Sequence, residues 1–122
     1  MILADTTIWV GHFRAPNNSL RKLLENEQIV MHPFIVAELA LGWLSQRKVQ
    51  LKALDDLPAV PVARLDEVRR MIEAHSLYSW GIGLIDAHLI ASCLIHPRTT
   101  LWTVDKRLSN VAESLGIAAI VP

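Results

Sequence analysis

The stretch Gly83-Leu84-Ile85-Asp86-Ala87-His88-Leu89-Ile90-Ala91-Ser92-Cys93-Leu94-Ile95 constrains the fold more than any other. It reads as a helix that is apolar around most of its circumference, and such a helix must be largely buried. It carries one carboxylate, Asp86, near its start. A buried carboxylate is costly unless it is paired, caps a helix or meets a cation. Asp86 placed after Gly81 and Gly83 can be read simply as an N-terminal cap. The alternative is that it belongs to a site, and that depends on where the other acids fall.

A chain of 122 residues is long enough to bury a core of its own. Short apolar runs alternate with helical stretches. Met1–Ala4 lacks the polar alternation of a half-exposed strand and reads as a strand covered on both faces. A helical turn, Ile8–Phe13, and a helix from Asn17 to Asn26 follow, then a second strand at Gln28–His32. Pro33 opens a helix expected over Phe34–Leu44. A polar helix spans Lys48–Leu57, and Ala59–Val62 reads as an edge strand because Pro61 has no N–H to give. Asp66–His75 is amphipathic, and a loop, Tyr78–Gly83, leads into the apolar helix. Thr99–Val104 is expected as a fourth strand ended by Asp105. A helix from Lys106 to Leu115 is closed by Gly116, and Ile117–Val121 is expected as a fifth strand. This order predicts an α/β fold, one domain over residues 1–122, as a three-layer α/β/α sandwich on a central five-stranded, mostly parallel sheet.

Sites in such sheets form beyond the carboxyl ends of the strands, where strand order reverses. Asp5 follows the first strand and Asp105 the fourth, so the two face one crevice if those strands are neighbours. Glu38, among Phe34, Ile35, Leu41 and Gly42 on its helix, is a second acid in apolar surroundings, unless it is solvated like any surface glutamate. Asp55, Asp56, Asp66, Glu67, Glu73 and Glu113 fall on polar faces and need no such account. Like-charged carboxylates ~4 Å apart repel by roughly 4 kcal/mol per pair at an effective dielectric near 20, so a cluster must be protonated or hold a cation. Oxygen ligands favour Mg²⁺ or Mn²⁺, and no Cys/His spacing competes. His88, two residues from Asp86, faces elsewhere on the helix and reads as structural. The chemistry that suits four acids and a hard cation is hydrolysis of a phosphodiester by activated water.

Charge and length restrict the partners. The 12 basic and 12 acidic residues balance, which by itself argues against nucleic acid. With four acids assigned to a site, eight remain against twelve bases, and Arg14, Arg21, Lys22, Lys106 and Arg107 become candidates for phosphate contact or for ordinary solvated charge. No apolar run approaches the ~18 residues of a membrane span, the N-terminus lacks a basic leader, and the single Cys93 suits a reducing cytoplasm. Apolar residues make up 52% of the chain, a surplus that points to a protein partner or a dimer rather than lipid.

Four stretches together resemble the PIN-domain ribonucleases of the VapC toxin type. Asp5-Thr6-Thr7 resembles the family's opening Asp-x-Ser/Thr, and Ala37-Glu38-Leu39 with Gly42 its Glu-Leu helix. Gly81-Ile82-Gly83-Leu84-Ile85-Asp86-Ala87-His88-Leu89-Ile90-Ala91 resembles its third-acid motif, and Leu101-Trp102-Thr103-Val104-Asp105-Lys106-Arg107-Leu108 the Thr-x-Asp motif that supplies the last acid. The likeness implies a toxin endoribonuclease of a type II toxin–antitoxin system that cleaves RNA with Mg²⁺, for which Mn²⁺ can substitute. Asp5, Glu38, Asp86 and Asp105 would be its catalytic and metal-holding residues, and Thr7 and Thr103 its supporting hydroxyls. It implies transfer or ribosomal RNA as substrate, a cognate VapB-type antitoxin and a homodimer. Trp9, Phe13, Trp43 and Leu44 are candidates for the antitoxin groove, or for core packing. Only Ser109 and Asn110 follow the last acid where some members carry a further acid or amide, so the number of metals stays open. A PIN-like module that binds RNA or a partner without cutting is the alternative, which a missing acid would favour; none is missing.

Overall fold

A computed structural model describes residues 1–121. Its centre is β1 (Ile2–Ala4), with β2 (Ile29–Val30) on one side and β3 (Thr100–Trp102) on the other, both parallel to it. The described residues form seven helices: α1 (Thr6–Arg14), α2 (Asn18–Glu25), α3 (Pro33–Ala40), α4 (Arg47–Asp55), α5 (Leu65–Ala74), α6 (Leu84–Ile95) and α7 (Lys106–Ser114). The α/β class read from the sequence holds. Leu3, Ala4, Ile29 and Leu101 are buried to within 2% of complete, as apolar strands without alternation require.

The expected sheet of five strands is corrected to three. The two outer segments shrink to single parallel bridges, Met31 with Ala59 and Leu101 with Ala118. Met31 N donates to Pro58 O (2.7 Å) and Val60 N to Met31 O (2.8 Å), and there the ladder stops. Pro33 has already started α3 on one side, while Pro58 and Pro61 have no N–H to donate on the other. At the far edge, Leu101 N donates to Ile117 O (2.7 Å) and Ala119 N to Leu101 O (2.9 Å) before the chain leaves β3 at Thr103.

Two other boundaries move. The helix expected over Phe34–Leu44 ends at Ala40, and the carbonyls of Ala40 and Gly42 accept from the Arg47 guanidinium. Leu41 and Trp43, beyond that end, are 89% and 87% exposed. The fourth strand ends at Trp102, so Asp105 stands three residues past it rather than at its end.

Order β2–β1–β3 makes the gap between β1 and β3 the place where successive connections run in opposite directions, the usual site of a ligand crevice. Helix α3 packs on α1 and on α4, and α5 packs on α6. Among the described residues no helix is long and apolar enough to cross a membrane.

Candidate active site

Ala4 of β1 pairs with Trp102 of β3, so the next residues, Asp5 and Thr103, leave the sheet side by side. Asp5 closes the strand and opens a helix at once. Its N–H donates to Trp102 O (2.9 Å), while its carboxylate caps α1 by accepting from Ile8 N (3.3 Å). The same carboxylate accepts from Thr7 Oγ1 at Oδ1 and from Thr103 Oγ1 at Oδ2, each at 2.5 Å. Thr103 Oγ1 also accepts from Asp105 N (3.0 Å), and Thr7 Oγ1 accepts from Val104 N (3.2 Å). Two hydroxyls thus tie the buried Asp5 to the turn that carries Asp105. Asp105 in turn caps α7 through Oδ1, which accepts from Leu108 N (3.1 Å).

Asp86 occupies the third position of α6, and the cap itself is Gly83. The reading of Asp86 as an N-cap is therefore corrected, although the Gly83 N–H still favours its charged form. Asp5, Asp86 and Asp105 all lie at helix N-termini, whose exposed N–H groups favour negative charge. That compensation is incomplete. Burial holds the Asp5 carboxyl above its ordinary range, against the lowering effect of the hydrogen bonds from Thr103, Thr7 and Ile8. Asp86 is raised too, first by burial and then by the charges of Asp5, Asp105 and Glu38. The four acids proposed from sequence therefore share one electrostatic environment.

Glu38 is positioned by a residue the sequence reading passed over. Thr6 Oγ1 donates to Glu38 Oε1 (2.8 Å), linking the first turn of α1 to α3. Thr6 and Thr7 are adjacent threonines, and only the start of α1 at Thr6 decides that one faces Glu38 and the other Asp5.

His88 is buried, as expected of a structural residue, and stacks edge-on against Phe34 (4.8 Å between ring centres) near His32 (6.5 Å). His32 caps α3 with its ring, Nδ1 accepting from Phe34 N (3.0 Å). Burial, with the neighbouring His88, pushes its pKa down to about 4. Burial also raises the Cys93 thiol to about 12, which leaves it a small apolar residue rather than a nucleophile.

The donor set is all oxygen, four carboxylates with flanking hydroxyls, which fits a hard divalent cation and no soft metal. Among the described residues, however, no three Asp, Glu, His or Cys side chains converge closely enough to hold a metal between them. An ion held by one or two carboxylates with water in its other positions remains compatible, and Mg²⁺ usually binds that way.

Glu38 also stands at the end of a cleft of about 420 Å³ lined by Phe13, Arg14, Leu39, Trp43 and Gln50. Of the four residues considered for an antitoxin groove, Phe13 and Trp43 line it at the surface. Leu44 lines it from a buried position, and Trp9, 3% exposed, belongs to the core.

Comparison with known proteins agrees with this geometry. The PIN domain family model matches residues 2–114. Ribonuclease VapC32 of Mycobacterium tuberculosis, in two strains, is 40% identical over 118 residues, covering 97% of this chain and 95% of that protein.

Proposed function

The chain belongs to the PIN-domain family, and from that premise we propose that it is a VapC-type toxin endoribonuclease, dependent on Mg²⁺ or Mn²⁺, with residues 1–122 forming one PIN domain. The observation that carries the site assignment is the bonding of Asp5 by Thr7 and Thr103 at the β1–β3 switch point, with Asp105 tied to Thr103 on the same turn. Right-handed crossovers on either side of β1 would place α1–α4 on one face and α5–α7 on the other, the three-layer arrangement of the fold.

Asp5, Glu38, Asp86 and Asp105 would hold the cation, directly or through water. When bound, the cation supplies Lewis-acid stabilisation of the phosphate and lowers the pKa of water. Asp5 is the fixed point, since its carboxylate is held at both oxygens by Thr7 and Thr103. Those hydroxyls keep it oriented while Asp105 is set by the Thr103–Asp105 bond and by its own cap. One of these carboxylates would take the proton from the attacking water. Glu38, held by Thr6, would face the substrate side next to the cleft.

The RNA is transfer or ribosomal RNA on this reading. The partner is a VapB-type antitoxin that covers the cleft beside Glu38 and so blocks the acids. The active form is a homodimer in the cytoplasm. The test is antitoxin-free protein on total RNA with Mg²⁺, with Mn²⁺ and with EDTA, beside Asp86→Asn and Asp5→Asn. Discrete cuts that need metal and disappear in both folded variants support the reading. Full activity in either variant sinks the site assignment, and binding without cutting by the wild-type protein favours the non-cleaving module.

A further inference from the structure

The loop before α6 has a fixed form, and two of its side chains are turned outward. It starts from a locked helix end: Ser76, at a φ of 52°, closes α5, and Leu77 N donates to Ile72 O (2.9 Å) with the Leu77 side chain buried. Ser79 and Gly81 follow, also in the left-handed region (φ 69° and 79°), and Gly83 then caps α6. Between these anchors the loop exposes two aromatic rings, Tyr78 at 59% and Trp80 at 40%. Six residues beyond Trp80 the chain reaches Asp86.

The loop lies against the start of α7. A methyl group at Gly81 would stand 3.0 Å from Arg107 Cδ and 3.1 Å from its Nη1, so the Arg107 side chain runs across the loop backbone. Arg107 and Lys106 directly follow Asp105, and both are exposed. The ion pairs among the described residues involve Lys52, Arg64 and Arg70 only, which leaves Lys106 and Arg107 without an acidic partner. Aromatic faces and uncommitted cations therefore border the acids on the side of Asp86 and Asp105.

We propose that Tyr78 and Trp80, with Lys106 and Arg107, form a binding track for unpaired RNA, the rings stacking bases and the cations holding backbone phosphates. The proposal rests on the ribonuclease reading above and adds that the substrate is single-stranded where it meets this face. A flat aromatic face accepts any base but only when the base is unstacked from its own helix. A protein partner seated on the rings and the exposed Leu84 would gain little from two unpaired cations beside an acidic crevice. Arg107 has a second task, since its stem braces the loop that presents Trp80.

Equilibrium binding separates these roles from catalysis. A fluorescently labelled, unstructured RNA oligonucleotide, and the same strand annealed to its complement, are titrated in EDTA with wild-type protein, Trp80→Phe, Trp80→Leu and Arg107→Gln. Single-stranded RNA should bind wild type more tightly than the duplex does. Trp80→Leu, which keeps apolar bulk without a stacking face, should lose about tenfold in affinity, whereas Trp80→Phe should keep most of it. Arg107→Gln should reduce the salt dependence by about 0.7 in the logarithmic slope, the share of one phosphate on a single strand. Equal binding by Trp80→Leu and wild type, equal binding of duplex and single strand, or no binding by wild type each overturns the track. If Trp80→Leu instead lowers the solution mass from two copies to one, the loop is a contact between copies and the proposal also falls. Metal-dependent cutting by wild type in a parallel lane would show that the ribonuclease reading stands even then.

Discussion

Replacing His32 by Asn tests whether this buried imidazole makes the fold sensitive to acid. His32 is fully buried, its Nδ1 must stay unprotonated to accept from Phe34 N, and its Nε2 has no partner. Its pKa is lowered from 6.5 to about 4. Below pH 6.5 the unfolded chain therefore binds a proton that the folded chain refuses, so folding stability rises with pH between about 4 and 6.5. The full window is worth about 3 kcal/mol at 1.36 kcal/mol per unit. With a urea slope of about 2 kcal/mol per molar, the unfolding midpoint should fall by about 1.5 M between pH 7 and pH 4 from this group alone. Asp5 and Asp86 act in the opposite sense, since their raised pKa values mean that the folded state takes up protons first. The comparison must therefore be between proteins rather than along one curve. Asn keeps an N-cap acceptor and removes the titration, so His32→Asn should cost some stability at pH 7 from lost packing. Its curve should then fall less steeply toward acid, by up to that same amount. Parallel midpoint-versus-pH curves for wild type and His32→Asn would refute the account of His32.

Three further outcomes follow from the site and the loop. In EDTA at pH 7, Asp86→Asn should melt higher than wild type, by about 4 °C for each kcal/mol of relieved repulsion in a domain of this size. Mn²⁺ at about a hundred times its dissociation constant should raise the wild-type melting point by about 10 °C and leave the variant nearly unmoved; an equal rise in both would remove Asp86 from the metal site. Thr103→Val deletes the bond to Asp5 and the acceptor for Asp105 N, so it should lose about 1–3 kcal/mol in urea unfolding, while Thr103→Ser should stay near wild type. Gly81→Ala forces a methyl into left-handed backbone and against Arg107, and should cost more than about 1 kcal/mol by the same assay; a neutral result would mean the loop is free to move.

The places of the four candidate acids were more legible in the sequence than the width of the sheet was. Asp5 and Asp105 stood out because each follows an apolar run, and Asp86 and Glu38 because each interrupts an apolar helix face. Those are local signals, although only Asp5 is itself buried. The width of the sheet depends on partners instead: Ala59 and Ala118 each find one residue to bridge, and the neighbours that would extend them have already turned into α3 or toward α7. The end of α3 was hidden for a similar reason. Its apolar pattern runs on through Leu44, and the helix stops where an arginine from the next segment satisfies its last carbonyls. The role of Thr6 was invisible because two like residues in sequence can be told apart only by the rotation of the helix they begin.

The chemistry of the cut ends tests the central claim most directly. RNA cleaved by the antitoxin-free protein with Mn²⁺ in ¹⁸O-labelled water should yield fragments in which the phosphate-bearing end has gained one labelled oxygen and no fragment carries a 2′,3′-cyclic phosphate. That is the signature of direct attack by water, the reaction proposed for Asp5, Glu38, Asp86 and Asp105. Fragments ending in a 2′,3′-cyclic phosphate, formed equally well in EDTA, would show that the ribose hydroxyl is the nucleophile and that the four acids do not perform the reaction assigned to them.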